Sequence, residues 1–439
     1  MNALDREILR LAVPAFGALV AEPLYILADT AVVGHLGTAP LGALAVSSTV
    51  LLTGYSLFIF LAYGTTGTIA RLIGAGDERE AVRQSVQSMW LAAVIAATLM
   101  VAGWFTAPGL VRAFGAEGAV RAGALLYLRV SLAGVPALLL TLAGTGYLRG
   151  RQDTRTPLVV AIAANVVNLG LELVLIPGLG YGLGASALAT VLAQTGAGVV
   201  YVQAVVRGAR ALDVSLRPDA HSMRALAVVA RDLLVRTAAL RAALALTTAV
   251  ATRIGTADLA AHQVAFQVWN FLALALDALA IAAQAMVGRF LGAGDGGQAR
   301  RASRRMIELG VGAGVAFGVL VLATEPVLPA VFTDDGEVRR LTGFLLWWVA
   351  AMQPVNAIAF VLDGVLIGAG DVRFLAWAMV GDAAVFALAA GLVLGMGLGI
   401  GWLWAALGVF MAARAMTLYA RFARPNWIVL GHPGDQGGA

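Results

Sequence analysis

The sequence predicts an all-α integral membrane protein, with twelve transmembrane helices in two parallel six-helix lobes related by a pseudo-two-fold axis. Three observations carry that prediction. Of 439 residues, 60% are hydrophobic and only 13% charged, against roughly 25% charged in soluble domains. Twelve apolar runs follow one another, each near the ~20 residues a helix needs to cross a bilayer. The two halves of the chain also repeat at one constant offset.

The runs fall at about 11–33, 41–70, 85–107, 123–148, 156–177, 183–206, 228–252, 259–290, 304–324, 341–367, 374–396 and 400–420. The charged lead Asp5-Arg-Glu-Ile-Leu-Arg10 enters a span too long for a signal peptide. Within span one, Pro14 and Pro23 each remove a backbone hydrogen bond and permit a kink. Spans two and eight exceed a straight crossing and are expected to tilt or bend. The N-terminus, the connectors after each even-numbered span and the C-terminus hold 24 of the 30 Arg residues. By the positive-inside rule both termini are therefore expected to be cytoplasmic. The basic segment near the middle of the chain divides it into an N-lobe (1–206), a cytoplasmic linker (207–227), a C-lobe (228–424) and a cytoplasmic tail (425–439).

A shift of 218 positions aligns the halves without gaps. Gly37-Thr38 meets Gly255-Thr256, and Arg71-Leu-Ile-Gly-Ala-Gly-Asp77 meets Arg289-Phe-Leu-Gly-Ala-Gly-Asp295. Pro136 meets Pro354, and Leu148-Arg-Gly-Arg-Gln-Asp153 meets Leu366-Ile-Gly-Ala-Gly-Asp371. Six spans per half, an even number, make the repeat parallel, with a cavity expected between two rocking lobes. The Asp residues of these Gly-Asp turns read as helix-end structure.

Composition excludes several classes. Without Cys there is no disulfide and no thiolate metal site. The pI near 9.9 comes from Arg in connectors, which suits anionic lipid headgroups. No basic patch interleaved with aromatics suggests nucleic acid. No P-loop, His-Glu-x-x-His, Gly-x-Ser-x-Gly or Asp-rich prenyl-diphosphate motif is present. An enzyme is not expected, and any pumping must draw on an ion gradient.

The intramembrane polar residues carry the chemistry. An aspartate at bilayer depth costs several kcal/mol and is seldom kept without use, and Asp29 sits within span one. Glu22, Tyr25 and Asp29 share one helical stripe, and Asn165, Asn168 and Glu172 repeat its spacing in span five. Facing each other inside the lobe, the two stripes offer carboxylates and amide oxygens that suit protons or a hard cation. Asn165 or Glu22 alone reads equally well as polar glue between helices. Tyr127 in span four and Thr190 in span six add candidate oxygens, though each alone reads as a packed residue. In the second half, span eight holds Gln263, Gln267, Asn270, Asp277 and Gln284, span ten Asn356 and Asp363, and span eleven Asp382. Gln267, Asn270, Asp277 and Asp363, with Glu22, Tyr25 and Asn165, are the substrate-cavity candidates. With aromatics such as Trp269, an acidic cavity would suit lipophilic cations. His262 reads as a packing residue at a helix start. Under the repeat, Asp29, Asn168 and Glu172 fall on Thr247, Phe386 and Ala390. The first half is therefore expected to couple the ion and the second to shape the cavity.

The segments Ala21-Glu-Pro-Leu-Tyr-Ile-Leu-Ala-Asp-Thr-Ala-Val-Val-Gly-His-Leu-Gly37, Ala261-His-Gln263 and Ala282-Ala-Gln-Ala-Met-Val-Gly288, with the twin Gly-Ala-Gly-Asp turns, resemble the multidrug and toxic compound extrusion (MATE) transporters, DinF-like branch. The resemblance covers nearly the whole chain. It implies an antiporter that exports amphipathic or cationic organic compounds by alternating access, coupled to protons, sodium or both. It places the ion or proton site on Asp29, Asn168, Glu172, Thr190 and Tyr127, with Tyr25 beside it and Pro14 as the hinge. A sodium ion at Asp29, Asn168, Glu172 and Thr190 is a candidate; no cofactor beyond the coupling ion is expected. Glu172 departs from the Asp common in relatives, so ion preference does not transfer with it. Asp363 resembles an acid implicated in another branch. The expected setting is a monomer in a bacterial inner membrane, with small organic substrates as its partners. The alternative, a lipid-linked saccharide flippase of the wider superfamily, would tend to have extra spans and a basic cavity.

Overall fold

The computed structural model describes residues 3–431. Met1, Asn2 and the end of the expected tail, from 432 onward, lie outside the described residues. Every regular element among the described residues is helical. Among the described residues, eleven helices are long and apolar enough to cross a membrane, and a bent pair makes twelve if it is counted as one span.

The first span is α1 (Ala3–Gly34), which remains one helix through Pro14 and Pro23. The second breaks at a 3-10 turn, Leu57–Ile59, into α2 (Thr38–Ser56) and α3 (Phe60–Gly74). Next come α4 (Glu78–Ala113), then α5 (Gly118–Leu132) and α6 (Val135–Gly150), which meet at 49°. This bend, unlike that of span two, was not expected. Pro136 has no N–H to offer Leu132, but its counterpart Pro354 lies inside the unbroken helix Gly336–Ala369, so the proline permits the bend and does not by itself impose it. The half ends with α7 (Arg155–Leu173), a π turn at Val174–Gly178, and α8 (Leu183–Ala211). The second half runs through α9 (Ala220–Ile254), α10 (Thr256–Gly292), α11 (Gly296–Thr324), the short α12 (Leu328–Phe332), α13 (Gly336–Ala369), α14 (Val372–Gly395) and α15 (Ile400–Ala423). Here α10 and α13 are unbroken where their counterparts in the first half break.

The helix stops repeat with the sequence. Gly76, Gly294 and Gly370 have φ of 78°, 79° and 78°, and Gln152 takes the same left-handed place at 62°. In each case the next N–H, from Asp77, Asp295, Asp371 or Asp153, closes onto a carbonyl five residues back. The Asp77, Asp295 and Asp153 carboxylates then accept from the N–H three residues on, capping the following helix. Close packing repeats too. A Cβ on Gly146 or Gly150 would strike the Ala62 or Thr66 carbonyl, and one on Gly364 or Gly368 the Ala280 or Gln284 carbonyl. Small residues thus let α3 meet α6, and α10 meet α13, backbone to backbone.

The chain forms two compact units, one of Val13–Ala230 and one of Met1–Ala12 with Arg231–Ala439. The two boundaries are themselves 218 residues apart. The first turns of α1 and of α9 therefore each count with the other half's helices. Ion pairs and burial hold them. Asp5 pairs with Arg305 at 2.7 Å and Glu7 with Arg289 at 2.6 Å, above buried Ile8 and Leu11. In the other unit, Arg83 reaches Asp219 at 3.0 Å and Ser222 at 2.8 Å, while the Asp219 N–H donates to Gln87. Hydrogen bonds from the Ser222 hydroxyl and the His221 N–H hold the Asp219 carboxyl below its usual range. The expected linker, 207–227, is shorter: only 212–219 lies between α8 and α9. Its charged flanks continue as helix, and α4 side chains hold the connector between them, with Trp90 Nε1 bonding the Leu216 carbonyl. The expected tail begins packed, with Trp427 buried and stacked on Phe422.

Candidate functional site

Within the unit Val13–Ala230, three helices each present polar side chains at i and i+4, which brings them to one face. Helix α1 supplies Tyr25 and Asp29, α7 supplies Asn168 and Glu172, and α8 supplies Ser186 and Thr190. Asp29, Asn168, Glu172 and Ser186 are all buried. The Ser186 hydroxyl donates to Asp29 Oδ1 at 2.6 Å and lies 3.5 Å from Glu172 Oε1. Thr190 donates to the Ser186 carbonyl at 3.1 Å, so its single proton is spent. Its oxygen therefore accepts, from the Tyr25 hydroxyl at 2.7 Å and from Asn168 Nδ2 at 3.2 Å. Tyr127, on α5, brings its hydroxyl within reach of Ser186 and Thr190.

The two carboxyls face each other. Asp29, Asn168 and Ser186 bear most on Glu172, with Tyr25 and Tyr127 also within its field, and no basic side chain is among them. Glu172 Oε2 is buried with no hydrogen-bond partner. Two buried carboxylates without a counter-charge cannot both remain ionised cheaply. One proton, or one monovalent cation taking oxygens from Asn168, Thr190 or Tyr127, would relieve them. No group of three or more His, Cys, Asp or Glu side chains is placed to hold a metal ion among the described residues, so any ion here would meet two carboxylates and neutral oxygens.

The structure thus brings together Asp29, Asn168, Glu172, Thr190, Tyr127 and Tyr25. Asn165 stands apart from this core, and its Nδ2 donates to the Ala21 carbonyl at 2.7 Å, tying α7 to α1. Glu22 is on an exposed position of α1. Ser186, which bridges the pair, was missed by sequence reasoning. Its only signal was its place one turn before Thr190.

In the second half the structure departs from the sequence reading at Trp269 and Asp363. Gln267 and Asn270 are exposed on α10 and Asp277 is half-buried. Trp269 does not line a cavity: it is 3% exposed and stacks on Phe266. That stripe continues to His262, which is buried against Trp404. Asp363 is not a lone acid. Arg236 from α9 grips both of its oxygens, and Arg414 from α15 lies 3.3 Å from Oδ2. All three are buried. The sequence counted both arginines on the cytoplasmic side and did not reveal that each is buried beside an acid. With Asp382 the cluster has two acids and two bases, so this part of the half is not acidic.

A family model described as MatE matches residues 14–174 and 237–393. Protein DETOXIFICATION 44, chloroplastic, of Arabidopsis thaliana is 32% identical over 433 residues, covering 95% of this chain and 82% of that protein. DNA damage-inducible protein F of Escherichia coli (strain K12) is 29% identical over 433 residues, covering 97% and 94%. A probable multidrug resistance protein NorM of Thermotoga maritima is 26% identical over 373 residues, covering 83% and 80%. Among solved structures, a MATE protein in the bent conformation superposes with a TM-score of 0.88 at 20% identity, covering 96% of this chain and 95% of that one. One in the straight conformation gives 0.87 at 20% identity, covering 96% and 97%. At such identity the likeness is one of fold.

Proposed function

Because this chain belongs to the MatE family, we propose that it exports amphipathic or cationic organic compounds in exchange for protons, sodium or both, by alternating access. The observation that carries this reading is the Asp29–Glu172 pair, bridged by Ser186 and buried in a membrane unit with no basic partner. Such a pair suits a cation that comes and goes. The name of the NorM relative supports organic substrates, and the wide spread of the family supports no single one.

In this reading the pair shares one proton, and a second one taken up neutralises it, so that Asp29 loses its hold as an anion on Ser186. Helix α1 carries both Asp29 and Pro14, so the change of charge acts on the helix that lacks a backbone hydrogen bond at Pro14. Sodium is the competing occupant. Glu172 reaches further than Asp would, and Asn168, Thr190 and Tyr127 add neutral oxygens.

Efflux of a small panel of dyes from proteoliposomes tests the reading. An inward proton gradient in sodium-free buffer is expected to drive export. If it drives nothing and sodium alone restores full transport, the site is a sodium site. If neither gradient moves any dye, the efflux reading is wrong.

Both termini are proposed to lie in the cytoplasm, on the strength of the Arg asymmetry. The chain has no Cys, and Thr38 and Ala220 are exposed, so single cysteines at these positions report sidedness without background. Ala220→Cys is expected to label from the cytoplasm and Thr38→Cys from outside. The reverse pattern would overturn the orientation.

A further inference from the structure

The second half contains an acid that the Asp29–Glu172 pair does not involve. Asp382, on α14, is 6% exposed. Its Oδ1 accepts one long hydrogen bond from Thr417 at 3.3 Å. Its Oδ2 is buried with no hydrogen-bond partner. A buried carboxylate normally collects several donors, and an ionised one left short of them is costly.

The helices packed on α14 are α15 and α13. From α15, Thr417 and the guanidinium of Arg414 bear on Asp382. Further along α15, Arg421 is engaged by Asp371 at 2.6 Å. From α13, Asp363 competes for Arg414: it lies 3.3 Å from it and already has Arg236 on both oxygens. Arg414 also lies over the Phe360 ring, 5.3 Å from its centroid. One arginine thus stands between an acid that is fully bound and an acid that is not.

We infer that Asp382 is a proton-binding site in the second half, with Arg414 as the charge that governs its occupancy. A proton from solvent binds Oδ2 and leaves a neutral acid that still accepts from Thr417, while Arg414 stays with Asp363. When Arg414 turns to Asp382, the carboxylate gains a cationic partner and the proton returns to solvent. Under the 218-residue repeat, Asp382 and Arg414 correspond to Ala164 and Gly196, so the first half has no copy of this pair. The inference stands apart from the efflux reading, since it concerns occupancy and not transport.

Infrared difference spectroscopy of the full chain in lipid reads protonated carboxyls directly. The wild type, titrated between acid and alkaline pH, is expected to show a protonated-carboxyl band that Asp382→Asn loses and Asp29→Asn keeps. Asn retains the hydrogen bond from Thr417, so this variant is expected to fold with unchanged thermal stability. Arg414→Gln is expected to hold the band to more alkaline pH, because the opposing charge is gone. Titration in choline and in sodium is expected to give the same curve. Spectra of Asp382→Asn that superpose on the wild type would overturn the inference, whether or not Arg414→Gln folds. Loss of the band on adding sodium would also overturn it, reassigning the site to a metal cation.

Discussion

Asp29→Asn is expected to abolish ion-driven efflux, to the level of empty vesicles, while the protein still inserts and folds. Asn keeps the volume of Asp, and its Oδ1 can still accept from the Ser186 hydroxyl, which now donates to Asp29 at 2.6 Å. What disappears is one of two facing carboxyls. Removing it strands no buried base, because Asp29 is held by the Ser186 hydroxyl and not by an ion pair; the change relieves repulsion with Glu172 instead of creating it. Folding should therefore survive, unlike the case of a broken buried ion pair. Glu172 alone then has no partner acid with which to share a proton. Efflux and thermal unfolding, measured on the same reconstituted variant, separate the two effects. Wild-type resistance in cells at equal expression would show that Asp29 does not carry the coupling charge.

The repeat was legible because its stops are chemical. Three of its four helix ends need glycine in the left-handed region, and each is followed by an Asp. Those residues recur at a fixed offset that no packing detail can hide. The acid pair was legible because carboxylates are rare in apolar spans, so Asp29 and Glu172 stand out by type alone. Ser186 was hidden for the opposite reason. Hydroxyls in membrane helices commonly bond a carbonyl one turn back, as Ser47, Ser85 and Thr190 do, so a serine carries little signal until its neighbours across space are known. Arg236 and Arg414 fall inside the apolar runs 228–252 and 400–420, but a one-dimensional pattern cannot show what a charge pairs with. Only the meeting of α9, α13 and α15 shows that each has an acid to pair with. The same lack of spatial information made the charged ends of α8 and α9 look like linker.

Asp363→Asn is expected to damage folding and not coupling, in contrast with Asp29→Asn. Arg236 is 4% exposed and Arg414 1% exposed. Removing the acid between them leaves Arg236 without its bidentate partner in a buried site. Breaking such a pair from one side costs about 3–5 kcal/mol, a large share of the roughly 5–15 kcal/mol by which small soluble domains are stable. Low yield and early thermal unfolding of the purified variant are the expected readouts. The double variant Asp363→Leu with Arg236→Met then tests the cause. Replacing a buried pair by apolar residues of similar size is commonly neutral, and Arg414 still has Asp382 to pair with. Stability should return, and ion-driven efflux with it. In that protein the protonated-carboxyl band of Asp382 should be lost, since Arg414 is released to it. A double variant that folds as well as the wild type but no longer couples efflux to the ion gradient would make Asp363 a working acid, and the arginine clamp its regulator.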